Sequence, residues 1–175
     1  MQTIYIENAA QLNALKAAIK VIAATEGPIG VDTETLGLDP MLHWVRLIQI
    51  AVPDFALVVD LQAFRDNPNS RQVDWDRPGL NYIRMVLEGV NRPKIFHNAS
   101  FDINMLWQEG IDVGGELHDT MIAAKIINNG TNSSNKLKDV HRRILGKEMP
   151  TDKETNQKGG WDDTITGRTK GAAFS

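Results

Sequence analysis

The chain has no cysteine, no long apolar run and no excess of basic charge, and each absence closes off a class of explanation. Without cysteine there is neither a disulfide framework nor a thiolate metal site, which fits a reducing compartment and equally fits chance, so it constrains location only weakly; a cytoplasmic location is the expectation. Lys16 and Lys20 interrupt the apolar stretch 15–24, and no basic segment leads into it, so neither a secretory signal nor a membrane span is evident. A net charge of −3 argues against gripping nucleic acid through broad electrostatics. It leaves phosphate chemistry open, because an acidic site can meet phosphate through bound cations. No internal repeat points to a solenoid, and no Gly-rich loop between a strand and a helix is placed to cradle a phosphate. What is present, 175 residues with 42% hydrophobic and 23% charged side chains, is ordinary for one globular domain with a real core.

The most informative residues are Asp32, Thr33 and Glu34, which follow the apolar run 28–31 and so end a strand that reads as buried. Side chains alternate along a strand, which puts Asp32 and Glu34 on one face within about 7 Å of each other and Thr33 on the other. Like charges this close raise each other's pKa, and a divalent cation with oxygen ligands from both removes the conflict. The plainer alternative is two acids at a solvated strand end.

Along the chain, residues 3–6 form a short strand. Asn8 and Gln11 have capping-box spacing, and Leu12, Leu15, Ile19 and Ile22 recur at helical period until Gly27 and Pro28. Residues 45–52 and 55–61 read as an antiparallel pair joined by a tight turn. Residues 65–78, polar and with two prolines, read as a surface loop, and a helix resumes at Gly79 or Leu80. Residues 94–98 read as another strand, with Ser100 as cap of a helix over 101–109 that places Asp102 in its first turn, where the helix dipole tolerates an acid. Asp119 is the expected N-cap of a helix over 120–128, and 136–145 supports one more. Its neighbourhood gathers Lys136, Lys138, Arg142, Arg143 and Lys147, ordinarily a solvated face and otherwise a track for phosphates. Residues 1–150 therefore form the expected domain, with 151–175 a polar, poorly ordered tail.

Alternating helices and strands around a meander suggest a mixed sheet flanked by helices, where Asp32, Glu34 and Asp102 can converge near one edge. Three carboxylates suit Mg2+ or Mn2+, and metal-assisted phosphodiester hydrolysis commonly uses two such ions about 3.5 to 4 Å apart. At this point the segments are recognisable. Residues 29–39 (IGVDTETLGLD) and 96–102 (FHNASFD) resemble the first and second motifs of the DEDD superfamily of 3′-5′ exonucleases, in particular the proofreading domain of family A DNA polymerases and ribonuclease D. Residues 46–51 (RLIQIA), 58–61 (VVDL) and 119–124 (DTMIAA) are also similar to this family.

The resemblance implies an α/β, RNase H-like fold with a mixed five-stranded sheet of order 3-2-1-4-5. It also implies hydrolysis of DNA or RNA from a single-stranded 3′ end by a two-metal mechanism, with Asp32, Glu34 and Asp102 as metal ligands and catalytic acids. Leu38 matches a position that packs against the terminal base, and Asn98 one near the substrate backbone. No membrane partner is implied, and a proofreading role calls for a polymerase as partner. The family's third motif, a Tyr followed four residues later by Asp on a final helix, has no match: aligning Trp161, Ile165 and Thr166 with the family's segment leading into that helix puts Ala172 at the Tyr position and Ser175 before the Asp. His118 and His141 lack an Asp at the spacing that the other branch of the family uses, so they read as ordinary histidines. The rival expectations are a nucleic-acid-binding module impaired in catalysis by the missing carboxylate and an unrelated Mg2+ phosphohydrolase, which the second motif disfavours.

Overall fold

The N-terminal strand and helix are set by local chemistry. The Asn8 side chain accepts from the Ala10 amide, while Gln11 reaches back to the Asn8 amide, so the box closes as its spacing predicts. In the computed structural model, which describes residues 1–67, 69–77, 79–129, 131 and 133–149, this box starts a short 3-10 turn that runs into α1, Leu12–Ala24. Leu15, Ala18, Ile19 and Ile22, at helical spacing, form its buried stripe. The chain divides into two units, Met1–His118 and Asp119–Ser175.

A six-stranded sheet organises the first unit, in the order β1-β4-β3-β2-β5-β6, with β1 Gln2–Ile6, β2 Ile29–Thr35, β3 Val45–Val52, β4 Phe55–Asp60, β5 Lys94–Phe96 and β6 Leu117–Asp119. Counting from β2, the order β4-β3-β2-β5-β6 is the expected 3-2-1-4-5, and the correction is a sixth strand: β1 adds to the edge, parallel to β4. β3 runs antiparallel to both neighbours and β2 parallel to β5, which makes the sheet mixed. One face packs its apolar residues, among them Ile29, Val31, Ile48, Ile50, Leu57 and Val59, into a core shared with α1, with α2 (Asn81–Glu88) and with α3 (Ala99–Gln108). No helix among the described residues is long and apolar enough to cross a membrane.

Two expectations need correction. Ser100 does not cap α3; the helix begins at Ala99, and Asn98 occupies the cap position at φ +76°, a left-handed conformation that Asn adopts more readily than most residues. Residues 65–78 are not simply a surface loop, because Arg65 bridges to Val73 and is itself 7% exposed. Arg65 pairs with Glu109 at 3.0 Å, with both side chains essentially sealed from solvent. A polar loop stays pinned when its first residue is the buried half of an ion pair.

In the second unit the Asp119 carboxylate accepts from the Met121 and Ile122 amides and caps α4, Thr120–Asn128, as expected. Helix α5, Leu137–Leu145, closes at Gly146 with φ +64°. The tail 151–175, including the segment aligned with the third motif at Trp161 and Ala172, lies outside the described residues.

Candidate active site

Strand β2 delivers the first two acids as alternation requires. Val31 and Thr33 are buried on one face, while Asp32 and Glu34 lie on the more open one. Asp32 stands directly opposite Gln49 of β3, whose Nε2 donates to Asp32 Oδ2 at 3.1 Å. This cross-strand contact holds the carboxylate against the sheet. Burial raises the Asp32 carboxyl above its ordinary pKa, and a hydrogen bond from the Thr33 backbone partly offsets that. Just beyond, the register slips between Glu34 and Thr35, leaving Arg46 as the extra residue of β3. The bulge sends Arg46 to Asp60, with Nε to Oδ1 and a second guanidinium nitrogen to Oδ2 both at 2.8 Å.

The third acid arrives through a gap in the sheet. β5 pairs with β2 only at Ile29 and Gly30 and ends at Phe96, so further along β2 the Thr33 amide has no neighbouring strand on that side. Asp102, in the first turn of α3, fills the gap: its Oδ1 accepts from the Thr33 N–H at 3.0 Å and from Thr33 Oγ1 at 2.7 Å. Neither bond uses Oδ2. Asp102 is 2% exposed, and burial pushes its carboxyl up to about 6; the Thr33 hydroxyl lowers it and the charge of Asp32 raises it. Asp32 and Asp102 therefore lie within electrostatic reach across β2. Among the described residues, however, no three acidic or histidine side chains are gathered into a ready metal-binding group. The donors are hard carboxylate oxygens, two of them charges that repel, a set that fits a hard divalent cation.

Helix α3 is anchored at its other end by a second buried acid. Glu109 Oε1 accepts from the Val45 amide at 2.8 Å at the start of β3, and Arg65 donates both to Glu109 and, at 2.7 Å, to the Val45 carbonyl. Asp102 and Glu109 are seven residues apart and both buried, so one face of α3 is tied to β2 by the first and to β3 by the second. Sequence reading overlooked Gln49, Arg65 and Glu109, and it placed Thr33 on the opposite face of the strand without its contact to Asp102. Gln49 alone had a signal, since it lies on the same sheet face as Asp32 once the two strands are paired.

The remaining expected residues fall as follows. Leu38 is 82% exposed in the loop after β2, which excludes an ordinary core role for it. Asn98 occupies the left-handed turn that joins β5 to α3, four residues before Asp102, so a backbone role accounts for its presence there. His118 lies 3.2 Å from Glu116, and His141 contacts the Lys147 carbonyl at 2.9 Å. In the basic cluster, Arg142 faces Asp139 and Glu148, and Arg143 donates to the Ser134 carbonyl, so these two side chains serve the second unit itself.

A mixed sheet of this order with helices on its flank defines an α/β nuclease fold of the RNase H-like class. The chain belongs to the 3′-5′ exonuclease family of the type found in family A DNA polymerases, whose sequence pattern matches residues 5–170. It is 30% identical over 127 residues to DNA polymerase I of Synechocystis sp., a match that spans 70% of this chain and 12% of the polymerase. Among solved structures it is similar to Brucella melitensis NrnC with bound Mg2+, with a TM-score of 0.61 and 22% identity over 86% of this chain and 65% of that one. It is also similar to Escherichia coli RNase D, an exoribonuclease involved in structured RNA processing, with a TM-score of 0.61 and 19% identity over 85% of this chain and 35% of that one. At these identities the structural likeness establishes the fold.

Proposed function

We propose that residues 1–150 form a divalent-metal-dependent 3′-5′ exonuclease domain in which Asp32, Glu34 and Asp102 hold the cations and the 3′ end of a single strand is the substrate. The carrying observation is Asp102, buried, fixed through one oxygen by Thr33 and within reach of the charge on Asp32. A carboxyl placed there is costly unless a cation compensates it. Membership of the exonuclease family and the Mg2+ held by NrnC support the same reading.

When bound, Mg2+ or Mn2+ would supply an activated water and offset the charge that develops on the leaving 3′ oxygen. The chain's own residues set the geometry. Gln49 orients Asp32 through Oδ2, Thr33 orients Asp102 through Oδ1, and the strand alternation presents Glu34 beside Asp32. Leu38 meets the terminal base, and Asn98 fixes the turn that aims α3. The polymerase relative and the exoribonuclease neighbour leave DNA and RNA as alternative substrates and make a polymerase a fitting partner.

A binding module without turnover is favoured by one observation, the lack of a ready three-acid group among the described residues. The two readings separate in an assay of 3′-labelled single-stranded DNA with Mn2+ or Mg2+, run beside Asp32→Ala and a blocked 3′ end. Metal-dependent shortening that Asp32→Ala abolishes is the expected result. Binding without shortening would assign the module instead.

A further inference from the structure

We propose that Arg71 is a positioning residue for the nucleic-acid substrate: it holds the backbone of residues 40–43 so that Leu38, Met41 and Leu42 form a fixed apolar seat for the base at the 3′ end. The proposal rests on the exonuclease reading above.

Three large apolar side chains lie exposed within five residues, Leu38 at 82%, Met41 at 68% and Leu42 at 70%, in the loop that follows directly from the strand carrying Asp32 and Glu34. A loop that turns its apolar side chains outward has no core to order it, so its shape must come from the backbone. Asp39 supplies part of that order: its carboxylate accepts from the Met41 amide at 2.8 Å and its carbonyl from the Leu42 and His43 amides. Arg71, about thirty residues away in sequence, supplies the rest. Its guanidinium donates to the carbonyls of Pro40, of Met41 at 3.3 Å and of His43 at 3.1 Å. One planar fork spanning three carbonyls is a geometry that an ammonium, a point charge on a flexible stem, does not reproduce.

Arg71 is itself held. Its carbonyl accepts from Arg65, the buried partner of Glu109 on α3. The apolar rim and the Asp102 carboxylate are thus both fixed relative to the same helix, one through Arg65 and Arg71 and the other directly. Gly37 tightens the loop further, since a Cβ there would lie 2.6 Å from the His43 ring. A rim ordered before binding meets a base without the entropic cost of ordering a loop at that moment.

The test compares the whole chain with Arg71→Met and Arg71→Lys on two short single-stranded DNAs, one ending in an ordinary nucleoside and one ending in an abasic residue. Hydrolysis with Mn2+, anisotropy with Ca2+, and amide exchange at Met41, Leu42 and His43 are measured on each protein. Arg71→Met is expected to raise KM about 10-fold on the ordinary end with kcat within about twofold, and Arg71→Lys to fall between it and the parent. On the abasic end the three proteins should coincide, and exchange at residues 41–43 should quicken in Arg71→Met. Equal losses on both DNAs, or unaltered exchange, would overturn the proposal. If the parent chain hydrolyses neither DNA, the exonuclease reading fails, and the anisotropy and exchange results still decide the seat: a base-dependent loss of binding in Arg71→Met supports it and no difference overturns it.

Discussion

Replacing Asp102 by Asn should stabilise the metal-free protein at pH 8 while removing a ligand of the proposed cation site. The carboxyl is buried, and its pKa moves from an ordinary 3.8 to about 6, so the folded chain holds this proton more tightly than the unfolded chain. The direction follows from that inequality. Above about pH 6 the group is ionised in both states and its burial costs the folded state the full difference, about 3 kcal/mol; as pH falls toward 3.8 the folded chain takes up the proton first and the cost disappears. Asn keeps an oxygen for the Thr33 amide and hydroxyl and carries no charge, so it should regain most of that amount at pH 8 and almost none near pH 4. For a chain of this size about 3 kcal/mol corresponds to about 6 to 12 °C in Tm. Urea and thermal unfolding in EDTA at both pH values would measure it. Adding Mg2+ should then raise the stability of the parent and leave the variant unmoved, narrowing the gap by linkage. An Asn variant no more stable than the parent at pH 8 in EDTA would refute the reasoning, because it would mean that the buried carboxylate carries no cost for a cation to offset.

Two further outcomes follow from the same geometry. Cation affinity should fall as pH drops through about 6, where Asp102 takes up a proton; Mn2+ titrations at pH 7.5 and pH 5.5 would read it. Glu109→Gln should destabilise the fold by about 3 to 5 kcal/mol, since it strands the Arg65 guanidinium without its counter-charge, and the double change Arg65→Met with Glu109→Met should recover much of the loss in thermal unfolding.

What the sequence disclosed and what it concealed divide along one physical line. Strand β2 and its paired acids were legible because alternation is local, and so were the Asn8 and Gln11 box and the Asp119 cap, which need only neighbours three residues apart. The Arg65–Glu109 pair was not, because its partners lie 44 residues apart and a polar, proline-bearing segment carries no mark of burial. The placement of β1 beside β4 is likewise a long-range choice that neither strand announces. Strand β6 is three residues with Leu117 and His118 exposed, too short and too open for a periodic signal. At the site, Asp102 in a first helical turn looked sufficient for the helix dipole alone. Its second role, completing the hydrogen bonding of β2 where β5 stops, exists only once the two strands are seen to part company after Gly30.

The most direct measurement is a calorimetric titration of Mn2+ into the parent chain and into Asp32→Ala, each shown by circular dichroism to be folded. Saturable binding in the parent that vanishes in Asp32→Ala is the expected result. Equal binding in the two proteins would contradict the assignment of Asp32 and Asp102 as the cation site on which the proposed activity depends.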